Sequence, residues 1–150
     1  MEGPEVSVLS FADGKHVLPM VSAQDHKRIY DGDKGPNTGG MGAYSPAPVY
    51  TEEMAELVNR TIIEPTIKAM EAEGAPFTGI LYTGLMLTDK GPRVLEYNAR
   101  FGDPETQPIM MRMKSDIVPL FQACIDGTLD QMELEWYDDA AVCVIMASGG

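Results

Sequence analysis

From residue 79 to residue 98 the chain reads as two strands joined by a turn at 88–92, and this hairpin constrains the fold more than any other segment. The first strand is rich in aliphatic and aromatic residues, and the return over 93–98 carries Val94, Leu95 and Tyr97. Side chains alternate faces along a strand, so Val94, Glu96 and Asn98 are expected on one face, with Glu96 and Asn98 ~6–7 Å apart. A carboxylate and an amide carbonyl at that spacing can meet at one hard cation. Arg100 follows with a planar fork suited to phosphate or carboxylate oxygens. Asp103 and Glu105 continue the polar run.

Residues 5–20 form a second predicted hairpin, in which Val6 and Val8 alternate with polar residues and Asp13-Gly14 makes the turn. Residues 31–48, with five glycines and three prolines, read as one long loop. Thr51 is placed to cap a helix with Glu52 and Glu53 in its first turn, kinked at Pro65 and ended by Gly74. Ser115 is expected to cap a second helix with Ile117, Leu120, Phe121 and Cys124 on one face, closed by Gly127. Residues 140–147 read as a last buried strand. The order predicts an α+β fold, an antiparallel sheet with packed helices.

The chain has 150 residues, enough for a core burying ~70% of the unfolded surface. With 11 basic and 23 acidic residues its net charge is −12, which disfavours a nucleic-acid partner. An anionic ligand then requires local cations, for which Lys27, Arg28, Lys34, Arg100, Arg112 and Lys114 are the candidates. Cys124 and Cys143 lack metal-site spacing and read as reduced core thiols. There is no basic-then-apolar leader, and no apolar run approaches ~18 residues. A cytoplasmic protein without a membrane partner is the expectation.

Several segments carry chemistry, each with a plainer reading beside it. Glu96, Asn98, Arg100 and Asp103 suit a magnesium site completed by substrate phosphates. They also suit an exposed strand end with an Arg–Asp surface pair. Gly84, in the partner strand, marks either close approach of a ligand or a local bulge. The loop Gly-Pro-Asn-Thr-Gly-Gly-Met-Gly-Ala-Tyr-Ser-Pro at 35–46 can turn successive N–H groups toward an anion. It is neither a phosphate-binding loop of the Gly-Lys-Ser/Thr type nor a dinucleotide fingerprint. Met110, Met111 and Met113 read as core filling. No Ser/His/Asp or Cys/His arrangement points to covalent catalysis.

Residues 24–28 (Gln-Asp-His-Lys-Arg), the loop at 35–46 and residues 96–107 (Glu-Tyr-Asn-Ala-Arg-Phe-Gly-Asp-Pro-Glu-Thr-Gln) occur in that order, with Met-Arg-Met-Lys-Ser-Asp at 111–116. Together they resemble the phosphoribosylamine–glycine ligase (glycinamide ribonucleotide synthetase) family of ATP-grasp enzymes, over essentially the whole chain. The resemblance implies the C-terminal half of an ATP-grasp core. It implies ATP as co-substrate and magnesium, with manganese as an alternative, at Glu96 and Asn98. Arg100, Asp103 and Lys27 would serve catalysis. Asp25, Asn37, Thr38, Gly39, Gly40, Met41 and Gly42 would lie against glycine and 5-phosphoribosylamine. Many ATP-grasp relatives carry a carboxylate where Gly84 stands, and its absence leaves Glu96 as the main charged ligand.

The same resemblance implies an N-terminal domain and a lid before residue 1, and a C-terminal domain continuing past Ser148-Gly149-Gly150. Residues 1–131 would be the core portion and 132–150 the start of the following domain, with the missing domains as partners. The isolated chain is then expected to be inactive. Another ATP-grasp carboxylate–amine ligase and a non-catalytic assembly module are the alternatives.

Overall fold

In the computed structural model, which describes residues 1–148, the two hairpins join into one antiparallel sheet. Strand β1 (Glu5–Asp13) turns into β2 (Val17–Pro19). β3 (Gln24–Tyr30), β4 (Lys34–Ser45) and a helical segment holding α1 (Glu52–Val58) and α2 (Glu64–Ala72) intervene before the second hairpin, β5 (Thr78–Thr88) and β6 (Gly91–Asn98). β1 and β5 pair along the full length of β1, Glu5 opposite Met86 through Asp13 opposite Thr78, and the sheet order is β2-β1-β5-β6.

Both faces of this sheet are covered. Leu9, Phe11 and Tyr82 pack on Leu120, Ala123 and Cys124 of α4 (Ile117–Asp126), which follows a short α3 (Thr106–Arg112). On the other face Val6, Val8, Leu81 and Leu85 meet Val58, Ile63 and Ile67. Ser7 and Ser10, which alternation puts on opposite faces, are therefore both buried with their neighbours.

The helical layer follows its sequence signals. The Thr51 hydroxyl accepts the Met54 N–H at 3.3 Å, and Gly74 ends the layer in a left-handed conformation. Between α1 and α2 the chain widens into a π-helical turn, Asn59–Ile63, just ahead of Pro65. A proline lacks an N–H and crowds the carbonyl four residues back, and a wider turn accommodates both.

The segment 31–48 departs most from expectation. Most of it is β4, paired with β3 and, on its other side, with β7 (Ala141–Val144), in a second sheet of order β3-β4-β7. Glycine and proline disguise it, because both are depleted in regular strands. The strand tolerates them through register shifts between His26, Arg28 and Tyr30. Gly42 has a packing reason, since a Cβ there would stand 2.5 Å from the Cys143 carbonyl oxygen.

Four smaller expectations also change. Asp116, not Ser115, caps α4, accepting the Val118 N–H at 2.9 Å, while the Ser115 hydroxyl accepts from the Glu135 N–H. β7 is only half-buried, with Val142 73% and Val144 72% exposed. Cys143, on that strand, is partly accessible, whereas Cys124 is buried. Met111 is 74% exposed, whereas Met110 and Met113 pack against the core. Gly149 and Gly150, at the expected domain junction, lie outside the described residues.

Two buried polar groups tie the layers together. The Arg112 guanidinium, 7% exposed, donates to the Ser45 hydroxyl at 3.1 Å and to the carbonyls of Asp139 (2.9 Å) and Tyr137 (3.2 Å). It is thus a strut between α3, β4 and the segment after residue 131, not one of the cations available to a ligand. Asp13 accepts N–H groups from Lys15 and His16, and also from Leu129 in a 3₁₀ turn.

Burial alone would raise the Asp13 carboxyl, but these N–H donors and the His16 ring outweigh it and lower its pKa to about 2. A folded-state pKa below the unfolded value of ~3.9 means stability present above the unfolded pKa and lost as pH falls toward 2. Asp13→Asn is expected to lose ~1–3 kcal/mol at neutral pH and to converge on the parent near pH 2. Chemical unfolding across this pH range checks it, and a constant difference would refute the assignment.

Candidate functional site

β6 reaches the site through a bulge. Gly84 faces Glu96 while Leu85 faces Val94, so Leu95 is the extra residue. The bulge turns Val94 to the helical face, where it packs with Leu85. Glu96 and Asn98, opposite Gly84 and Tyr82, keep a common face without it. Gly84 is thus beside a bulge and also a point of close approach. A Cβ there would meet Glu96 Cγ at 3.2 Å and Tyr82 Cε1 at 3.4 Å.

Beyond this strand end lies a cleft of about 80 Å³ lined by Asp25, Lys27, Gly39, Tyr82, Glu96, Arg100, Asp103 and Glu105. A larger cleft of about 310 Å³ adjoins it over Ser7, Gly84 and Leu95, sharing Asp25, Lys27, Tyr82 and Glu96 and adding Asn37. Residues from β3, β4, β5, β6 and the 99–105 turn therefore converge, although 57 positions separate Gly39 from Glu96. Asn98 instead lines a separate apolar cleft of about 220 Å³ with Ile67, Met70 and Phe77.

The remaining predicted residues belong to β4. The Thr38 hydroxyl donates to the Lys27 carbonyl at 2.8 Å and accepts the Gly40 N–H at 3.1 Å, bridging the irregular pairing. Gly40 has φ +134°, and a Cβ there would collide with Pro104 Cδ. Met41 accepts the Ile145 N–H through its carbonyl at 3.0 Å. Glycines 40 and 42 thus let neighbouring chain approach, whereas Gly39 borders the cleft with nothing within 4 Å of its missing side chain.

Charge in the cleft is organised around Lys27. Its Nζ lies 2.9 Å from Glu5 and 3.4 Å from Asp25. Burial disfavours the ammonium, but Glu5 and Asp25 outweigh it and hold its pKa above the usual lysine value. Burial pushes the Asp25 carboxyl up, with Glu105 adding to the rise and Lys27 opposing it. Arg28 donates to the Gly35 carbonyl at 2.8 Å and borders the neighbouring groove. Among the described residues Arg100 and Asp103 make no ion pair. Arg100 donates to the Phe101 carbonyl at 2.8 Å, and Asp103 accepts from the Gln107 amide at 2.8 Å.

Three groups had no assigned role from sequence. Glu5 holds Lys27, and Tyr82 and Glu105 floor the cleft. Glu105 stood in the polar run, but nothing in its spacing signals that its side chain turns inward. Tyr82 reads as an ordinary strand aromatic.

Antiparallel sheets flanked by helices, with a charged cleft where β6 ends, define part of an ATP-grasp core. The family model described as Phosphoribosylglycinamide synthetase, ATP-grasp (A) domain, matches residues 1–106, and the chain belongs to that family. It is 59% identical over 150 residues to a phosphoribosylamine–glycine ligase of Rhizobium meliloti, covering all of this chain and 36% of the relative. A ligase of the same name from Vibrio cholerae is 56% identical over 151 residues, with 35% of its length covered. The chain thus spans about a third of the length of these curated relatives. The crystal structure of a phosphoribosylamine–glycine ligase from Thermotoga maritima superposes with a TM-score of 0.73 at 37% identity, covering 85% of this chain and 32% of that one. An L-amino acid ligase from Bacillus licheniformis shares the fold at TM-score 0.61 and 19% identity, covering 100% of this chain and 35% of that one.

Gly40→Ala provides a local test of this packing. The methyl must displace Pro104, and with it the turn carrying Asp103 and Glu105. A loss of thermal stability and faster amide exchange over 103–106 are expected. Unchanged exchange there would show the contact to be dispensable.

Proposed function

We propose that the chain supplies one half of the active site of a ligase joining glycine to 5-phosphoribosylamine at the expense of ATP. The observation carrying this reading is the convergence of Lys27, Arg100, Glu96, Asp103 and Asp25 on one small cleft. Phosphoryl transfer needs positioning and charge neutralisation rather than a nucleophilic side chain. Lys27 and Arg100 are the cations placed to face phosphoryl oxygens. In the proposed reaction a glycine carboxylate oxygen bonds to the γ-phosphorus as the bond to ADP breaks, giving glycyl phosphate. The phosphoribosylamine nitrogen then attacks the acyl carbon and phosphate leaves. Asp25 and Asp103 stand where an amine needs orienting and its proton a destination, and Gly39, with Asn37 nearby, leaves room for substrate.

The donor set suits a magnesium or manganese ion only as a shared site. Among the described residues no group of three or more His, Cys, Asp or Glu side chains forms a cage. Magnesium is commonly held by one or two carboxylates with substrate phosphates completing the shell. Glu96 lines the cleft, whereas Asn98, opposite Tyr82 in the same register, borders the neighbouring apolar cleft, so Glu96 is the main protein donor and Asn98 would have to turn toward the ion to join it. Bound there, the ion would supply charge neutralisation to the triphosphate.

Residues 132–150 are read as the opening of a further domain, and the remaining length of the ligase as this chain's partner. No described helix is long and apolar enough to cross a membrane. Two unpaired thiols agree with a reducing, cytoplasmic setting.

The proposal makes two checkable statements. The 150-residue chain, given ATP, magnesium, glycine and phosphoribosylamine, is expected to release no ADP above background, and robust release would overturn its dependence on the rest of the ligase. In the full-length ligase, Glu96→Gln is expected to raise the magnesium concentration for half-maximal rate at least about tenfold. An unchanged magnesium titration would remove Glu96 from the metal role.

A further inference from the structure

We propose that Glu105, Tyr82 and Ser7 form a buried positioning network that holds Arg100 over the cleft from beneath. The inference rests on the phosphoryl-facing role of Arg100 proposed above. Three chain-distant elements meet here. One carboxylate oxygen of Glu105 accepts from the Ser7 hydroxyl at 3.0 Å and the Tyr82 hydroxyl at 2.8 Å, and the two hydroxyls lie 2.9 Å apart. Glu105 is 3% exposed, and among the described residues no cation pairs with it within 4 Å. A buried carboxylate without a counter-ion is a poor device for stability alone.

The network touches the arginine segment directly. A Cβ on Gly102 would stand 2.6 Å from Glu105 Oε2 and 3.1 Å from Tyr82 Cε2, so a side chain there would have to displace the Glu105 carboxylate from its two hydroxyl partners. The Gly102 carbonyl then accepts both the backbone N–H and the hydroxyl of Thr106, fastening the turn that carries Glu105. Above it, the Arg100 guanidinium lies 6.0 Å from the centre of the Tyr82 ring.

An aromatic support differs from a carboxylate partner in one useful respect. A carboxylate would occupy the N–H fork that phosphoryl oxygens need, whereas a ring face attracts the charge and leaves the fork free. Donation of the Tyr82 hydroxyl to Glu105 makes the ring more electron-rich and fixes its tilt. Burial, with Glu105 nearby, raises the Tyr82 pKa, so the phenol stays a donor throughout the physiological range.

Two measurements test the network. In the 150-residue chain, ¹⁵N relaxation at Arg100 Nε is expected to show an ordered side chain that becomes mobile in Tyr82→Phe and Glu105→Gln, which preserve size. Unchanged order in both variants overturns the proposal. In the full-length ligase the same variants are expected to lower kcat about tenfold while KM for ATP moves less than about threefold. In an Arg100→Ala background they should add no further loss, and additive losses would also overturn the proposal. Full activity of Arg100→Ala itself would sink the phosphoryl role of Arg100, while relaxation would still decide whether the network holds it.

Discussion

The β1–β5 ladder is the constraint on which the rest depends. Nine consecutive residue pairs set its register, and both faces of the sheet are buried. A slip by one residue would send Leu9 and Phe11 into the layer built for Val6 and Val8, exchanging two cores of different shape. The same register sets Ser7 opposite Gly84 and Leu9 opposite Tyr82. The floor of the cleft is therefore specified by the apolar packing of the two layers. The bulge at Leu95 completes this by turning Glu96 toward the cleft while Val94 stays in the core.

Charge follows a similar economy. A chain of net charge −12 has few cations, and the structure removes several candidates from use. Arg112 is consumed by backbone carbonyls, Arg28 caps the Gly35 carbonyl, and Lys114 lies over the Tyr137 ring. Lys27 and Arg100 remain at the cleft, and they are held differently. Lys27 is paired on two sides by carboxylates, so a phosphate must compete for it with Glu5 and Asp25. Arg100 has a carbonyl and a ring face, and its remaining donors are uncommitted to acid. One cation is thus neutralised by two carboxylates, and the other is held by a carbonyl and a ring face with no acid paired to it among the described residues.

Legibility in the sequence divides along the range of the interactions. Hairpins, helix starts and the polar run at 96–105 were readable because turn residues, caps and two-residue alternation act between near neighbours. Strand β4 was hidden, because its glycines answer to contacts with Pro104 and Cys143, more than sixty residues away. The cap moved from Ser115 to Asp116 for a related reason, since Ser115 is engaged by the Glu135 N–H across a loop. Glu105 was visible as a polar residue but not as a buried one. Burial of a carboxylate depends on two hydroxyls, from Ser7 and Tyr82, that no local pattern announces. Family resemblance supplied the grouping of residues 25–42 with 96–103, which spacing alone left open.

The glycines show why the site is better described as packed than as loose. Glycine-rich segments invite a reading of flexible, anion-cradling loops. Here Gly40, Gly42, Gly84 and Gly102 each lack room for a methyl group without some shift of a neighbour, and the neighbours include backbone, proline and the network carboxylate. Such positions transmit placement rather than absorb it, because a close-packed interior passes on small displacements. Gly39 alone among the cleft glycines opens onto free space. The open backbone at Gly39 therefore lies in the same cleft as the paired Lys27 and the acid-free Arg100, and the packed glycines around it hold those three in place relative to one another.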